Sequence, residues 1–281
     1  MKYKITSCLL VLALLAAWPA AAQKAGDNGS NPWARAGQEK SPVFDPQARE
    51  ILLNMCGFMK SQKDFSFKAE VTNDRLSDKG EPVQYSFDLE VDVRRPDGLR
   101  IRGQGDEANK EFVYDGKTYT LYDKTHNVYA SEEAPDDIEG ALDAAQSRHD
   151  LTVSLADMAG AKLCEHISKG IRNGRYEGLH NVHGVPAHHF SFDRGNDRFQ
   201  LWVSTGDRPV LEKVVITRGG LPYAPQWTAY LTDWNFEPQF KDSLFAFVPP
   251  RGAEKIDFAP LQTPMAPETS PGMRKGKGGK T

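Results

Sequence analysis

The chain has 281 residues, of which 39% are hydrophobic and 26% charged, and its formal charge at neutral pH is −3. That length can bury a substantial single core. Mild acidity of this kind gives no reason to expect nucleic acid as a partner.

Lys2 and Lys4 precede an apolar run from Ile5 to Ala17, and Ala20-Ala21-Ala22 supplies small residues for cleavage. Residues 1–22 therefore read as a secretory signal peptide, which places the mature chain, from Gln23, in the periplasm as a soluble protein. The run is shorter than the about 20 residues a spanning helix needs. Cleavage shifts the charge from −3 to −5, because two lysines leave and no acid does, and it also removes Cys8. Of the remaining thiols, Cys56 and Cys164, an oxidising compartment favours a disulfide. Two separate buried thiols are the other arrangement, and the geometry that decides is not in the sequence. Residues 23–44, rich in Gly, Asn, Ser, Pro and charge, read as a disordered lead-in. Residues 259–281 read as a disordered tail ending in Arg274-Lys275-Gly276-Lys277-Gly278-Gly279-Lys280. Such a tail either meets an anionic surface or is a solvated terminus.

The domain between them, residues 45–258, opens with a helix. Asp45 suits an N-cap and Pro46 a first helical position, and Ala48, Ile51, Leu52, Met55 and Met59 follow at helical spacing. Strands come next. Phe65, Phe67, Ala69 and Val71 alternate with polar residues, and from Val83 to Arg94 the alternation is unbroken. A period of two over that length marks a long antiparallel strand with one wet face. Arg95-Pro96-Asp97-Gly98 is a turn before Leu99 and Ile101, and Asp115-Gly116 joins Glu111–Tyr114 to Thr118–Tyr122 as a hairpin. Pro135, Asp136 and Asp137 start a helical stretch bearing Ile138, Leu142 and Ala145. Leu155–Met158 and Leu163–Ile167 read as two short helices ended by Gly170. Strands return at Gly174–Leu179, His188–Asp193, Phe199–Ser204, Glu212–Thr217 and Gln226–Phe236, and Phe245-Ala246-Phe247-Val248 closes the domain. The pattern predicts a mainly β (α+β) fold: a single curved antiparallel sheet whose apolar face is crossed by helices. If the helices only lid the concave side, an apolar cavity remains.

Arg95-Pro96-Asp97-Gly98-Leu99-Arg100, Tyr114-Asp115-Gly116-Lys117-Thr118, Leu201-Trp202-Val203, Pro209-Val210-Leu211-Glu212-Lys213, Asp233-Trp234 and Phe245-Ala246-Phe247-Val248-Pro249-Pro250 occur in that order. Together they resemble a family of predicted periplasmic proteins, itself similar to the lipoprotein carriers LolA and LolB and to the sensor RseB. The resemblance covers about residues 45 to 258. It implies a LolA-like unclosed half-barrel with a helical lid (Pro135 to Gly170) and a cavity that receives acyl chains. The implied partners are an acyl chain or lipidated protein, an envelope protein, and a membrane in transient contact; no cofactor is implied.

Catalytic signatures are absent: no Gly-x-Ser-x-Gly elbow, His-Glu-x-x-His, phosphate loop or dinucleotide fingerprint occurs, so no catalytic residue is assigned. His180, His183, His188, His189 and Asp193 could form a metal set by composition. Gly184 and Pro186 break their spacing, however, and alternation sends His188 and His189 to opposite faces, so no metal is assigned. Asp88, Glu90 and Asp92 share one strand face, either as a glycosidase-like pair or as a solvated outer surface. The strand aromatics are core on an ordinary sandwich, whereas on a half-barrel some line a cavity. The residues expected to line it are Tyr85, Phe87, Leu89, Val91, Tyr119, Leu121, Leu201 and Val203. The function so predicted is sequestration of a lipid or lipidated protein without chemistry, with an envelope interaction module whose core is filled as the alternative.

Overall fold

The computed structural model describes residues 46–258, apart from 107, 108 and 172. The expected signal peptide, lead-in, Asp45 cap and basic tail lie outside those residues. Among the described residues, no helix is long and apolar enough to cross a membrane.

Helix α1 (Pro46–Ser61) buries Ala48, Leu52, Met55 and Met59, whose spacing of three and four keeps them on one stripe. Strands β1 (Asp64–Leu76), β2 (Pro82–Arg94), β3 (Gly98–Gly105), β4 (Asn109–Tyr114), β5 (Thr118–Asp123) and β6 (Val128–Glu133) then form an antiparallel meander. After helix α2 (Ile138–His149), a single 3-10 turn at Ala156–Met158 and helix α3 (Leu163–Ser168), a second meander follows. It comprises β7 (Asn173–Val182), β8 (Val185–Arg194), β9 (Asp197–Ser204), β10 (Leu211–Thr217) and β11 (Gln226–Asn235). A short β12 (Glu254–Lys255) runs parallel to β6.

All twelve strands share one curved, unclosed sheet in the order β12-β6-β5-β4-β3-β2-β1-β11-β10-β9-β8-β7. The two meanders are fused through β1 and β11, paired from Ser66–Asn235 to Asn73–Trp227. This order places β6 and β7 at opposite margins. The chain from residue 134 to 171 therefore crosses the concave face between them, and it buries its apolar residues against that face and against α1. The lid is thus a consequence of topology.

The expected alternation is present: Phe65, Phe67, Ala69 and Val71 on β1 and Phe87, Leu89, Val91 and Val93 on β2 are buried on one side. Val83, on the same parity, is 40% exposed because it stands beyond the helices' cover at the hairpin end. Gly116 adopts φ +87°, and the Asp115 carboxylate accepts from the Lys117 and Thr118 amides at 3.0 and 2.8 Å, which fixes the β4–β5 turn. Asp137 caps α2, its carboxylate accepting from Gly140 N at 2.6 Å.

One local expectation is corrected, and two regions that the sequence pattern left unassigned take a definite form. Leu155–Met158 makes one 3-10 turn rather than a helix, with Leu155 at φ 59° ahead of it. Strand β6 carries the polar run Ser131-Glu132-Glu133, which masked it, although Ala130 is buried. Residues 245–248 form no strand. They belong to a strap, residues 236–253, over the outer face of β2–β6. Phe245, 1% exposed, anchors the strap under the Arg94 guanidinium, 4.6 Å from the ring centre, and Phe247 lies 5.6 and 5.2 Å from the Tyr122 and Tyr129 rings. Gly98 suits that position, because a Cβ would sit 3.0 Å from the Phe245 ring and push it aside.

Candidate functional site: an apolar cavity under the crossing segment

The crossing segment is fastened at its margins by polar contacts. Cys56 and Cys164 form a disulfide that joins α1 to α3, with a Cα–Cα distance of 5.8 Å. Arg95, in the β2–β3 turn, donates from its guanidinium to five main-chain carbonyls. Nη1 reaches Met59 O and Gln62 O at 2.6 and 2.9 Å, Nε reaches Ala159 O at 2.7 Å, and Nη2 reaches Met158 O and Gly160 O at 3.2 and 2.8 Å. These bonds satisfy carbonyls at the end of α1 that the helix leaves open, and they tie the crossing segment to the sheet. Burial lowers the Arg95 pKa, with Glu139 opposing. The Glu139 carboxylate accepts from Ala161 N at 2.5 Å, linking α2 to the start of α3. At the far margin Arg194 Nη2 donates to Ile167 O at 2.8 Å, and its guanidinium sits 4.3 Å from the Phe199 ring centre.

Between these latches lies an apolar cavity of about 50 Å³. Leu155, Met158, Leu163, Ile167 and Ile171 form its roof, and Phe192, Phe199, Leu201, Leu211, Val214 and Ile216 its floor on β8–β10. Asp157 and Arg194 are the charged residues at its border. The cavity is smaller than the about 150 Å³ that accommodates benzene in an engineered protein core. In this conformation the concave face is almost filled by its own side chains.

Of the residues expected to line a cavity, Leu201 does so. Phe87, Leu89, Val91, Tyr119 and Val203 are buried in the contiguous core, Leu121 packs against it half-buried, and Tyr85 is half-buried beneath Arg75. The Tyr119 hydroxyl donates to Glu132 at 3.1 Å, and burial together with that carboxylate pushes its pKa up to about 12. The lining residues that the sequence did not single out come from the crossing segment, from Phe192 and Arg194 on β8, from Phe199 on β9 and from β10. The apolar residues of the short helical stretch, Leu163 and Ile167, were the available signal.

The histidines do not gather into one set, although the His180 and His189 rings meet edge-on with centres 5.0 Å apart. His188 Nδ1 lies 2.9 Å from the Tyr176 hydroxyl, whereas His189, on the outer face, stacks on Trp202 at 4.0 Å and meets Gln200 at 3.1 Å. Burial lowers both pKa values. His183 stacks on Tyr230, 4.6 Å away. Among the described residues no three His, Cys, Asp or Glu side chains are grouped to hold a metal.

Asp88, Glu90 and Asp92 lie on the outer face of β2, with Glu90 paired to Arg102 and Asp92 3.7 Å from Arg100. Arg100 donates to Glu111 at 2.6 Å, and Lys124 approaches Glu111 at 3.3 Å. Burial would raise the Glu111 pKa, but Arg100 and Lys124 outweigh it and hold the carboxyl low. Burial raises Asp92. Arg100 and Glu111, with Val113 and Tyr122, floor an open cleft of about 570 Å³ beneath the strap. The charges in that cleft face one another, whereas the inner cavity is walled by hydrocarbon.

The family model described as "Predicted periplasmic protein (DUF2092)" matches residues 48–259. No curated protein matches the chain. Among solved structures, LprF from Mycobacterium bovis is 15% identical, covering 74% of this chain and 98% of its own, with a TM-score of 0.46. The lipoprotein LppX from Mycobacterium tuberculosis is 16% identical, covering 69% and 98%, with a TM-score of 0.42. A LolA superfamily protein from Nitrosomonas europaea is 13% identical, covering 71% and 97%, with a TM-score of 0.36.

Proposed function

We propose, for a chain that belongs to the DUF2092 family of predicted periplasmic proteins, that it is a binding protein of the bacterial envelope that shelters an acyl chain of a lipid or lipidated protein beneath its crossing segment. The observation that carries this reading is the cavity between α3 and β8–β10, walled by hydrocarbon on both sides and bordered by the latches of Arg194 and the disulfide. Burying an acyl chain there gains about 0.8 kcal/mol per methylene, so firm binding needs no charged contact.

The cavity of about 50 Å³ holds only the first part of such a chain. Loading therefore requires the crossing segment to lift. A longer ligand would then run from Leu201 and Val203 over the concave surface towards Val91, Leu89, Phe87, Tyr85, Tyr119 and Leu121. The proposal contains no chemical step, and the protein's part is to bind, exclude water and release.

The small volume also favours a second reading: an envelope interaction module whose concave face stays filled. Titration of the mature chain with a fluorescent fatty acid separates the two. Saturable uptake, lost in Val214→Phe, supports the binding reading. No uptake by the unaltered chain sinks it and leaves the interaction module.

A further inference from the structure

Among the described residues eight large hydrophobic side chains are exposed, and four of them stand on two hairpin tips at one end of the sheet. Leu76 and Val83 belong to the β1–β2 tip, Leu221 and Tyr223 to the β10–β11 loop. Pairing of β1 with β11 ends at Asn73 and Trp227, so both tips project past the same margin. Gln226 N donates to Asp74 Oδ2 at 3.0 Å and ties them together. Scattered exposed apolar residues are ordinary, but a cluster marks a contact surface.

This end is also where the cavity is bordered. Arg194 is the last residue of β8, Ile216 is next to last in β10, and both line the cavity. The β10–β11 loop is buttressed against the β8–β9 turn. Arg218 pairs with Asp197 at 3.0 Å, and a Cβ on Gly219 would meet Asn196 O at 2.1 Å.

The loop is built to point outward. Arg218 N donates to Pro225 O at 3.0 Å, and Leu221 N and Ala224 N donate to Arg218 O and Leu221 O at 3.1 Å each. Tyr223 and Ala224 adopt φ 61° and 46°, a left-handed conformation disfavoured for side chains of this kind. The outcome is Leu221 at 53% and Tyr223 at 71% exposure on a fixed scaffold. Leucine with tyrosine suits a membrane–water interface, where the ring sits in the apolar layer and the hydroxyl among headgroups. Charges near the tips are mixed, Arg75, Lys79 and Arg218 against Asp74, Asp78, Glu81 and Asp197, so the attraction is apolar rather than electrostatic.

We propose that the β1–β2 and β10–β11 tips dock the protein on a phospholipid bilayer with the bordered end of the cavity towards it. This deepens the binding reading, on which its purpose rests, by giving the place where an acyl ligand would pass between cavity and membrane.

Flotation of the mature chain with phosphatidylcholine vesicles tests it, because vesicles without net charge give the basic tail no attraction. The unaltered chain should float. Leu221→Ser/Tyr223→Ser and Leu76→Ser/Val83→Ser should float at least fivefold less, while Leu179→Ser/Val185→Ser at the opposite end floats as the unaltered chain does. Tyr223→Trp, which needs no loss of structure to be informative, should float at least as well and shift its emission to the blue on vesicles. An unaltered chain that stays in the soluble fraction, tip variants that float undiminished, or equal loss in the opposite-end pair would overturn the proposal. Fatty-acid uptake in vesicle-free buffer is read separately: flotation without uptake sinks the cargo reading alone, and uptake without flotation sinks the docking proposal alone.

Discussion

Beneath β2–β6 the inward side chains Phe87, Leu89, Val91, Ile101 and Phe112 are packed shut, with α2 against β5, while the strap spans the outer face over an open cleft. Beneath β8–β10 the equally apolar Phe192, Leu201, Val214 and Ile216 meet only a 3-10 turn and a six-residue helix, and a void remains. The strap does not reach the outer face there, where Trp202 and Tyr230 are covered instead by His189, His183 and Lys213. Alternation decides which face of a strand is apolar. The segment that crosses it decides whether that face becomes core or cavity.

If the lid over β8–β10 is held by latches rather than by area, cutting the latch is the most damaging change. Replacing both Cys56 and Cys164 by serine opens a closure of 108 residues. It should cost about 5 kcal/mol on the chain-entropy account. Hydrogen exchange should quicken mainly in residues 155–171, and equal loss of protection in β4 and β5 would show that the halves are one cooperative unit.

Packing gives the next contrast. Leu89→Ala, in the filled half, should lose about 3 kcal/mol in denaturant unfolding. Leu201→Ala should lose less, because the void already adjoins that side chain. Reversing the change sharpens the test: Val91→Phe should cost about 2 kcal/mol through overpacking, whereas Val214→Phe fills the void and stays near neutral.

Arg194→Gln removes one carbonyl partner from α3. A loss of about 1 kcal/mol, with faster fatty-acid uptake in stopped-flow mixing, is the expected outcome. An unchanged rate would mean that the latch does not gate the cavity.

The smallest effect is on pH. Burial lowers the His188 and His189 pKa values, so on acidification the unfolded chain binds protons before the folded one does. Stability contributed by the neutral rings is present above the unfolded histidine value of about 6.5 and falls as pH drops below it. Thermal midpoints of His188→Gln/His189→Gln should decline less between pH 7 and pH 5.5 than those of the unaltered chain.

Much of the sheet was legible because period-two runs such as Phe65–Val71 and Val83–Val93 record a buried face directly. The disulfide was left open by sequence, and the fold decides it by bringing α1 and α3 together. Depth was not legible. Leu89 and Leu201 obey the same alternation, yet only Leu201 borders a void, and that depends on Leu163 and Ile167 arriving from the crossing segment. Arg95 was legible as the start of a turn but not as a latch, since its partners are carbonyls, and a carbonyl belongs to every residue. The eight residues expected to line the cavity therefore span both halves, and the structure brings Leu201 to the present cavity.

The most direct test of the binding account is native mass spectrometry of the mature protein isolated without detergent, followed by organic extraction of the bound fraction. The account predicts a stoichiometric acyl-bearing species that disappears in Val214→Phe. A clean ligand-free mass for the unaltered protein, with no fatty acid taken up on addition, would contradict it.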